Sequence, residues 1–226
     1  MDRREYLTLL GLGAASSIAG CGGAEDGDDE PTPEPLSDPI EASHRGTGAE
    51  TIDGFEVELR GPTIATVQHE GDDAFAIELF DAEGEAIALL ASGTGTWLGS
   101  NAFDVPPGEY AIEVEAGDLW QLTAVQQPVY TREHVTIEWP IEIEGATDDV
   151  YGPVDFADAR SLSIRTWGEG DNAVVVRDSR GAAAATVFEE TGRVDADTSV
   201  SIDDAVGWID VEMSGSFELT VDEAEQ

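Results

Sequence analysis

Apolar residues recur at every second position in many short segments of this chain, and this alternation constrains the fold more than any other feature. Phe55 and Val57 alternate with polar residues, as do Tyr110, Ile112 and Val114. Similar segments begin at Trp120, Leu162, Ile209 and Phe217. Alternation over a few residues is typical of strands with one buried face. The pattern predicts an all-β fold of antiparallel strands, a β-sandwich or jelly roll.

Turn signals separate these segments. Residues 81–84 and 178–181 each place aspartate first and glycine fourth, as a type I turn favours. Residues 106–108, Pro-Pro-Gly, separate two further strands. Residues 135–143 alternate but contain Pro140, which cannot donate to a ladder, so we expect an edge strand or a bulge there. We interpret this segment as the first strand of a second unit.

The folded region is interpreted as two copies of one unit. Residues 71–74 match residues 170–173, an offset of 99 that also pairs Gly46 with Gly145. Further along, residues 112–114 match 209–211, an offset of 97, so a net deletion of two residues lies between the matched blocks. The alternative is coincidence between two generic β-rich stretches. Duplication predicts tandem β-sandwich domains over residues 46–127 and 128–226.

The N-terminal leader is typical of an exported lipoprotein. Arg3 and Arg4 precede an apolar stretch at residues 7–20, which ends at Cys21, the single cysteine of the chain. The stretch is shorter than the ~20 residues that cross a bilayer. We expect a twin-arginine export signal over residues 1–20 and a lipid on Cys21. A retained anchor helix or an ordinary buried thiol are the alternatives. Residues 21–45, acidic and rich in proline and glycine, predict a disordered linker.

The charge of the chain restricts its partners. There are 49 acidic residues against 10 basic ones, a net charge of −39, and all the basic residues are arginine. Such a surface repels itself, and the repulsion is largely screened at 1 M salt, where the Debye length is ~3 Å. The composition resembles that of proteins from extremely halophilic archaea. Nucleic acid is excluded as a partner because its binding requires a basic footprint.

Four segments together resemble a known domain family. Residues 75–85, 95–100, 107–114 and 117–123 resemble a small β-sandwich domain of secreted and lipid-anchored proteins from haloarchaea and some Gram-positive bacteria, similar to pre-peptidase C-terminal domains. The resemblance covers residues 46–127 well and 145–222 loosely. The second unit has Gly207-Trp208 where the first has a Gly-x-Tyr element. The resemblance implies an accessory or binding module without catalysis of its own.

No catalytic set is assigned from the sequence. A Gly-x-Ser-x-Gly elbow is absent, and His44, His69 and His134 form no i, i+4 pair. His69 lies beside Glu70 and could form a base or a ligand, but a solvated loop histidine is the preferred interpretation. With 49 carboxylates in the chain, an apparent acid–base pair carries little information.

Clustered carboxylates suggest a calcium site as a hypothesis. Glu70, Asp72 and Asp73 surround Gly71, and Asp171 is the proposed counterpart in the second copy. Neither segment fits the twelve-residue calcium loop with glycine at position six. A hydrated turn, favouring glycine and aspartate, is the alternative. No other cofactor is predicted.

Two tryptophans are candidates for a ligand platform. Trp97 lies between two glycines, and Trp167 lies in a loop of the second unit. We hypothesise that both stack on sugars of a surface glycan, with core packing as the alternative. Trp120 alternates with polar residues and is expected in the core.

The leading functional prediction is a lipid-anchored, non-enzymatic binding or structural protein on the extracellular face of the membrane. Its partner would be an envelope protein or a glycan. The alternative is an accessory subunit, or a secreted hydrolase that uses carboxylates. An enzyme should present a cleft in which a carboxylate of raised pKa lies near a histidine or a second carboxylate, whereas a module should show filled sandwiches without such a cleft.

Overall fold

A computed structural model describes residues 36–224 of the chain. The predicted export signal, Cys21 and most of the predicted linker lie outside the described residues. Within residues 36–224 the first half holds β1 Ile40–Thr47, β2 Glu50–Val57, β3 Thr63–Glu70, β4 Ala74–Phe80, β5 Ala86–Thr94, β6 Trp97–Phe103, β7 Gly108–Glu115 and β8 Leu119–Gln126. The second half holds β9 Ile141–Gly145, β10 Asp149–Asp155, β11 Arg160–Thr166, β12 Asp171–Arg177, β13 Ala183–Thr191, β14 Asp195–Val200, β15 Val206–Met213 and β16 Phe217–Glu223.

Each half forms two four-stranded antiparallel sheets. The first half has the orders β1-β8-β3-β6 and β2-β7-β4-β5, and the second has β9-β16-β11-β14 and β10-β15-β12-β13. Adding eight to each strand number of the first half reproduces the second, so the two topologies are the same. This order, with neighbours in one sheet drawn from distant parts of the chain, is that of a jelly roll. The predicted all-β fold with tandem sandwiches is confirmed.

The inward residues of the two sheets of each half meet in one apolar core. In the first sandwich the core includes Val67, Ile77 and Leu122, none of which is exposed to solvent. In the second it includes Val176 and Val211, which are equally buried. Burial of each such side chain contributes roughly 1.5–3 kcal/mol. Both sandwiches are therefore filled by their own side chains, as the alternation predicts.

The structure corrects the alignment of the two copies. Gly95 N donates to Asp73 O at 3.1 Å, and Gly192 N donates to Gly170 O at 2.9 Å, so these turns are equivalent at an offset of 97. The match of residues 71–74 with 170–173 is therefore wrong by two residues. The offset of 99 holds only for the first two strands, where both copies carry a bulge, at residues 52–55 and 151–154. The two-residue deletion lies between β2 and β3.

Gly46 and Gly145 make the same kind of contact with an aromatic ring, which confirms their pairing. A Cβ atom on Gly46 would lie 2.5 Å from the ring of Trp120, and one on Gly145 would lie 2.6 Å from the ring of Phe217. The glycine in each first strand thus leaves room for an aromatic ring of the neighbouring strand close to its backbone. The ring nitrogen of Trp120 donates to Gly48 O at 2.9 Å, and the side chain is 1% exposed, as the core prediction required.

Two boundaries also differ from expectation. β1 begins at Ile40, so the linker prediction is wrong over residues 40–45, which pair with β8. The half-buried alternation of β1 depends on small and polar residues, which the composition of the linker obscured. β9 is the predicted edge strand but begins at Ile141, directly after Pro140, because proline lacks the donor that the ladder requires. A 3-10 turn, Arg132–His134, lies in the connection. No helix within residues 36–224 has the length and apolarity to cross a membrane.

Candidate ligand-binding groove at the joint

The two sandwiches meet where an edge strand of the first lies on the outer face of a sheet of the second. β6 is the last strand of its sheet, and its outward N–H groups would otherwise lack ladder partners. Ser100 N donates to the backbone oxygen of Asp148 at 2.9 Å. Ala102 N lies 3.5 Å from Oδ2 of Asp210, a longer contact in the same direction. The second sandwich therefore covers this edge and fixes the joint between the two units.

A buried ion pair supports the joint from the second sandwich. Arg177 Nε, on β12, donates to Asp210 Oδ2, on β15, at 2.6 Å, and Asp210 is fully buried. The same guanidinium donates through a second nitrogen to Gly181 O at 3.1 Å. Burial raises the pKa of Asp210 to about 6, although Arg177 opposes the rise. Asp210 Oδ1 is buried and has no hydrogen-bond partner within residues 36–224.

A small apolar cluster continues the joint. Tyr130, Val206 and Trp208 are buried together, and Ile64 of the first sandwich packs against them. The rings of Tyr130 and Trp208 meet edge to face, with their centroids 6.0 Å apart. The turn between β12 and β13 adds a close approach, because Gly181, at φ +98°, lies against the backbone of Phe103. The orientation of the sandwiches is thus held by apolar as well as polar contacts.

A groove of about 470 Å³ opens between the sandwiches beside this joint. The first sandwich contributes Trp97 and its chain neighbours at the start of β6. The second contributes Asp148 from the turn before β10, Asp171 from the start of β12, and Glu212 and Ser214 from the end of β15. The volume falls in the range of small-molecule sites, about 300–1,000 Å³.

Trp97 is held in place by its own sandwich. Its ring lies 5.7 Å from that of Phe75, which in turn stacks on His69 at 4.5 Å. A Cβ atom on Gly99 would lie 2.7 Å from the Trp97 ring and 3.1 Å from Asp148 Cβ, so the ring reaches the second sandwich over this glycine. Trp97 remains partly exposed, on the groove.

Two of the three groove carboxylates, those of Asp148 and Asp171, are each held by a hydrogen bond to one of their oxygens. Met213 N donates to Asp148 Oδ1 at 2.8 Å, and the hydroxyl of Thr191 donates to Asp171 Oδ1 at 2.6 Å. Burial raises the pKa of Asp148, and the charge of nearby Glu212 raises it further, against the hydrogen bond from Met213. The groove thus concentrates negative charge beside an aromatic ring.

Ser214 is positioned by a buried amide. Asn172 Oδ1 accepts from both Ser214 N and Ser214 Oγ at 3.2 Å. Its Nδ2 donates to Gly192 O at 2.8 Å and to Gly170 O at 3.1 Å. Asn172 is 2% exposed, so one side chain satisfies four backbone or hydroxyl groups and fixes one wall of the groove.

The equivalent end of the first sandwich has a different composition. At the offsets established above, the positions of Asp148, Asp171 and Glu212 correspond to Ala49, Ala74 and Glu115. Two carboxylates of the groove thus occupy places where the same fold accepts alanine. The fold itself does not require acids there.

The sequence-predicted candidates are distributed over separate places. Trp97 and Asp171 both line the groove. Trp167 is 41% exposed in the loop after β11 and is not among the groove-lining residues. Glu70, Asp72 and Asp73 lie at the end of β3 and in the turn after it, and their counterparts by the corrected alignment are Trp167, Glu169 and Gly170. Within residues 36–224, no group of three or more histidine, cysteine or carboxylate side chains is placed to hold a metal ion.

The interpretation of His69 as a solvated loop residue is wrong. His69 lies in β3, is fully buried and donates through Nδ1 to Gly95 O at 2.7 Å. The equivalent position in the second sandwich is Thr166, whose hydroxyl donates to Gly192 O at 3.2 Å. Both side chains therefore satisfy the same turn carbonyl, which gives His69 a structural role.

Sequence reasoning did not find Asp148, Glu212 or the Arg177–Asp210 pair. The two groove acids come from distant turns, and nothing distinguishes them among 49 acidic residues. A signal did exist for the joint: Val206 and Trp208 stand out of phase with Ile209 and Val211, so the first part of β15 carries large apolar residues on both faces. A strand of this kind is covered on both sides.

Comparisons with known proteins gave weak structural likenesses. No family model matches the chain, and a search of curated proteins gave no match. The PBSX exported protein XepA is similar at a TM-score of 0.29 and 10% identity, over 80% of this chain and 83% of that chain. A fucolectin from striped bass (Morone saxatilis) serum gives 0.24 and 9%, over 81% and 86%. A mutant of Bacillus subtilis oxalate decarboxylase gives 0.26 and 11%, over 83% and 69%. At such low TM-scores these likenesses carry no argument about function.

Proposed function

We propose that this protein is a lipid-anchored, non-enzymatic binding protein on the extracellular face of the cell membrane, and that it holds a ligand in the groove between its sandwiches. One observation carries the proposal: the groove combines a partly exposed aromatic ring with fixed polar groups from both sandwiches. Each sandwich is filled by its own core, so the joint is where a ligand finds a concave, polar and aromatic surface.

The proposed location depends on the leader. Arg3 and Arg4 before an apolar stretch that ends at Cys21 are the pattern of an exported, lipid-modified protein. The acidic linker before β1 would hold the sandwiches away from the membrane. The net charge of −39 suits a medium of high salt and a tether rather than direct contact with anionic lipid.

The location is tested by membrane fractionation and by mass spectrometry of the native protein. We expect a lipid-modified Cys21 as the N-terminal residue, and we expect Cys21→Ser to release the protein from the membrane. An unmodified thiol on an intact N-terminus in the cytosol would overturn the location.

Binding is tested by capture from a cell-envelope extract at the native salt concentration. The full chain should retain one envelope protein or glycan, and Trp97→Leu should reduce the captured amount about tenfold. Glu115→Gln, at the first-sandwich position equivalent to Glu212, is the matched control and should capture as the unaltered chain does. Capture that is unchanged by Trp97→Leu would remove the groove from the function.

A carboxylate-based hydrolase is the second candidate, and one observation favours it. Asp148 has a raised pKa and lies near Glu212 in the groove, which is the arrangement that an acid and a second carboxylate require. Incubation of the chain with a panel of envelope polysaccharides, followed by measurement of reducing ends, tests it. New reducing ends that disappear in Asp148→Asn would replace the binding proposal, whereas no release in any arm rejects the hydrolase.

A further inference from the structure

The chemistry of the groove restricts the class of ligand that it can hold. The groove is lined by three carboxylates, those of Asp148, Asp171 and Glu212, together with Trp97. No arginine or histidine of residues 36–224 lines the same surface. A ligand that covers this surface takes the carboxylates out of water, which is costly unless each gains a compensating charge or hydrogen bond.

Two of the groove acids each have a carboxylate oxygen that can accept a hydrogen bond from a ligand. In Asp148 and Asp171 the internal hydrogen bonds engage Oδ1, which leaves Oδ2 as an acceptor for a ligand. Met213 N and the Thr191 hydroxyl fix the direction of these carboxylates, so a ligand would not have to order them. Because Ala49 and Ala74 occupy the equivalent places in the first sandwich, these acids are a local addition to the fold.

The aromatic ring adds a preference among cations. The face of a tryptophan attracts an ammonium or guanidinium group within about 6 Å of the ring centroid, and substituted ammonium ions are the ligands of aromatic cages. The ring of Trp97 packs against that of Phe75, with centroids 5.7 Å apart, and Trp97 lines the groove together with acids of the other sandwich. A bare metal ion is a poorer match, because no group of three carboxylate, histidine or cysteine side chains within residues 36–224 is placed to coordinate one.

A neutral sugar fits this lining less well than a cation does. Sugar hydroxyls could stack on Trp97 and donate to the carboxylates, but they bring no charge to offset the mutual repulsion of Asp148 and Glu212. A positively charged group relieves that repulsion and gains the ring face at the same time. The groove also has room for the carbon substituents of an organic cation, at about 470 Å³.

We infer that the groove binds a small organic cation that carries a substituted ammonium group, with Trp97 against the ammonium substituents and Asp148, Asp171 and Glu212 supplying the opposite charge. This inference rests on the proposed function, because it names the ligand class of the same groove.

Calorimetric titration of the full chain at constant ionic strength tests the inference. Choline is the probe, and 3,3-dimethylbutan-1-ol, in which carbon replaces the charged nitrogen, is its neutral isostere. We expect choline to bind at least about tenfold more tightly than the isostere, a factor that a desolvated cation–π contact with paired charge can supply. Equal affinity for the two probes, or no heat with choline, would overturn the inference.

Variants separate the groove from the general charge of the protein. Trp97→Leu keeps an apolar side chain without a ring and should weaken choline about tenfold, whereas Trp97→Phe should retain most of the affinity. Glu212→Gln should weaken choline about fivefold, and Glu115→Gln should leave it unchanged. Equal losses in Glu212→Gln and Glu115→Gln would indicate non-specific attraction and would overturn the inference. A thermal melt of each variant shows that it is folded.

The outcome also distinguishes this inference from the proposed function. If choline does not bind but envelope capture remains sensitive to Trp97→Leu, the inference of a cationic ligand is rejected and the proposed binding function stands. If envelope capture is insensitive to Trp97→Leu while choline binds in the groove, the ligand class stands and the groove is rejected as the binding site of the envelope partner.

Discussion

Arg177 and Asp210 form a buried ion pair with a 2.6 Å hydrogen bond at the place where the two sandwiches meet. Their counterparts in the first sandwich are Phe80 and Glu113, of which Glu113 is exposed on the outer face of its sheet. The pair therefore belongs to the joint and not to the jelly roll as such. Charge at this place has a cost, because burial outweighs the attraction of Arg177 and raises the pKa of Asp210 to about 6.

The pH dependence of Asp210 gives the first prediction. Its pKa is higher in the folded chain than the ordinary value of 3.8, so the folded state binds the proton more tightly than the unfolded state does. The stabilisation by protonation is fully present below pH 3.8 and is lost as the pH rises through about 6. The shift corresponds to about 3 kcal/mol.

The direction of this pH dependence is measured by denaturant unfolding of the unaltered chain and of Asp210→Asn between about pH 4 and pH 7. The free energy of unfolding of the unaltered chain, minus that of the variant, should increase as the pH falls. Subtraction removes the titration of the other carboxylates. Asp53→Asn, at an exposed site on β2, is the control. A difference that decreases as the pH falls would contradict the assignment.

Asn172 should be far more sensitive to truncation than its size suggests. Asn172→Ala removes the acceptor of Ser214 N and the shorter of two hydrogen bonds to Gly192 O, the other coming from Thr166, and each such loss costs about 1–3 kcal/mol. We expect the free energy of unfolding to fall by about 2–4 kcal/mol. Asn101→Ala removes a single half-buried hydrogen bond, to Leu90 O, and should cost about 1 kcal/mol. Equal costs for the two variants would show that the network around Asn172 contributes little.

The contact between Gly46 and Trp120 predicts a coupled pair of substitutions. Gly46→Ala places a methyl group where the ring of Trp120 lies, so the strand or the ring must shift, at a cost of about 1–3 kcal/mol. In a Trp120→Leu background the ring is gone, and the alanine should cost much less. Unfolding of the four proteins of this cycle measures the coupling. An additive cycle would mean that the ring does not limit the glycine.

The effect of a charge-removing substitution on the free energy of unfolding should depend most on salt where like charges face each other. Glu56 and Glu109 lie directly opposite on β2 and β7, and both are exposed. Glu109→Gln should therefore stabilise the chain at low salt, by about 0.2–1 kcal/mol. The gain should vanish near 1 M KCl, where the Debye length is ~3 Å. Glu83→Gln in an exposed turn removes the same net charge and is the control; an equal gain there would assign the effect to net charge alone.

The strands of this fold were predictable where alternation is strong. The inward sets of β7, β8, β15 and β16 follow directly from the sequence, and the turns at residues 81–84 and 178–181 form as expected. In each turn the first aspartate accepts two backbone N–H groups through Oδ1. β1 was missed because Ile40 and Ala42 are followed by His44 and Gly46 on the same face, which removes the apolar signal.

The alignment of the copies shows a limit of pattern analysis. A slip of two residues keeps every side chain on its original face, since the period of a strand is also two. Gly71 and Gly170 therefore matched convincingly although Gly168 is the counterpart of Gly71. Hydrogen bonds of the turn glycines, Gly95 and Gly192, resolve what alternation could not.

The groove was only partly accessible from the sequence. Trp97 and Asp171 were candidates, but for different reasons and different ligands. Their meeting depends on how β6 lies against β10 and β15, and contacts between separate domains leave no period in the sequence. The acid at Asp148 becomes distinct only when Ala49 is known to be its counterpart, whereas Glu212 has another acid, Glu115, at the equivalent position.

The joint is asymmetric, since the edge of β6 meets the outer face of the other unit, and such a head-to-tail contact does not close on itself. The surfaces that correspond to those of this joint are the edge of β14, the counterpart of β6, and the outer face of β7, the counterpart of β15. Asp195 and Asp197 stand exposed on β14, however, and Glu113 stands exposed on β7, so a second molecule approaching in this manner would bring carboxylates together. Carboxylates on both surfaces therefore oppose such a contact between neighbouring chains at low salt.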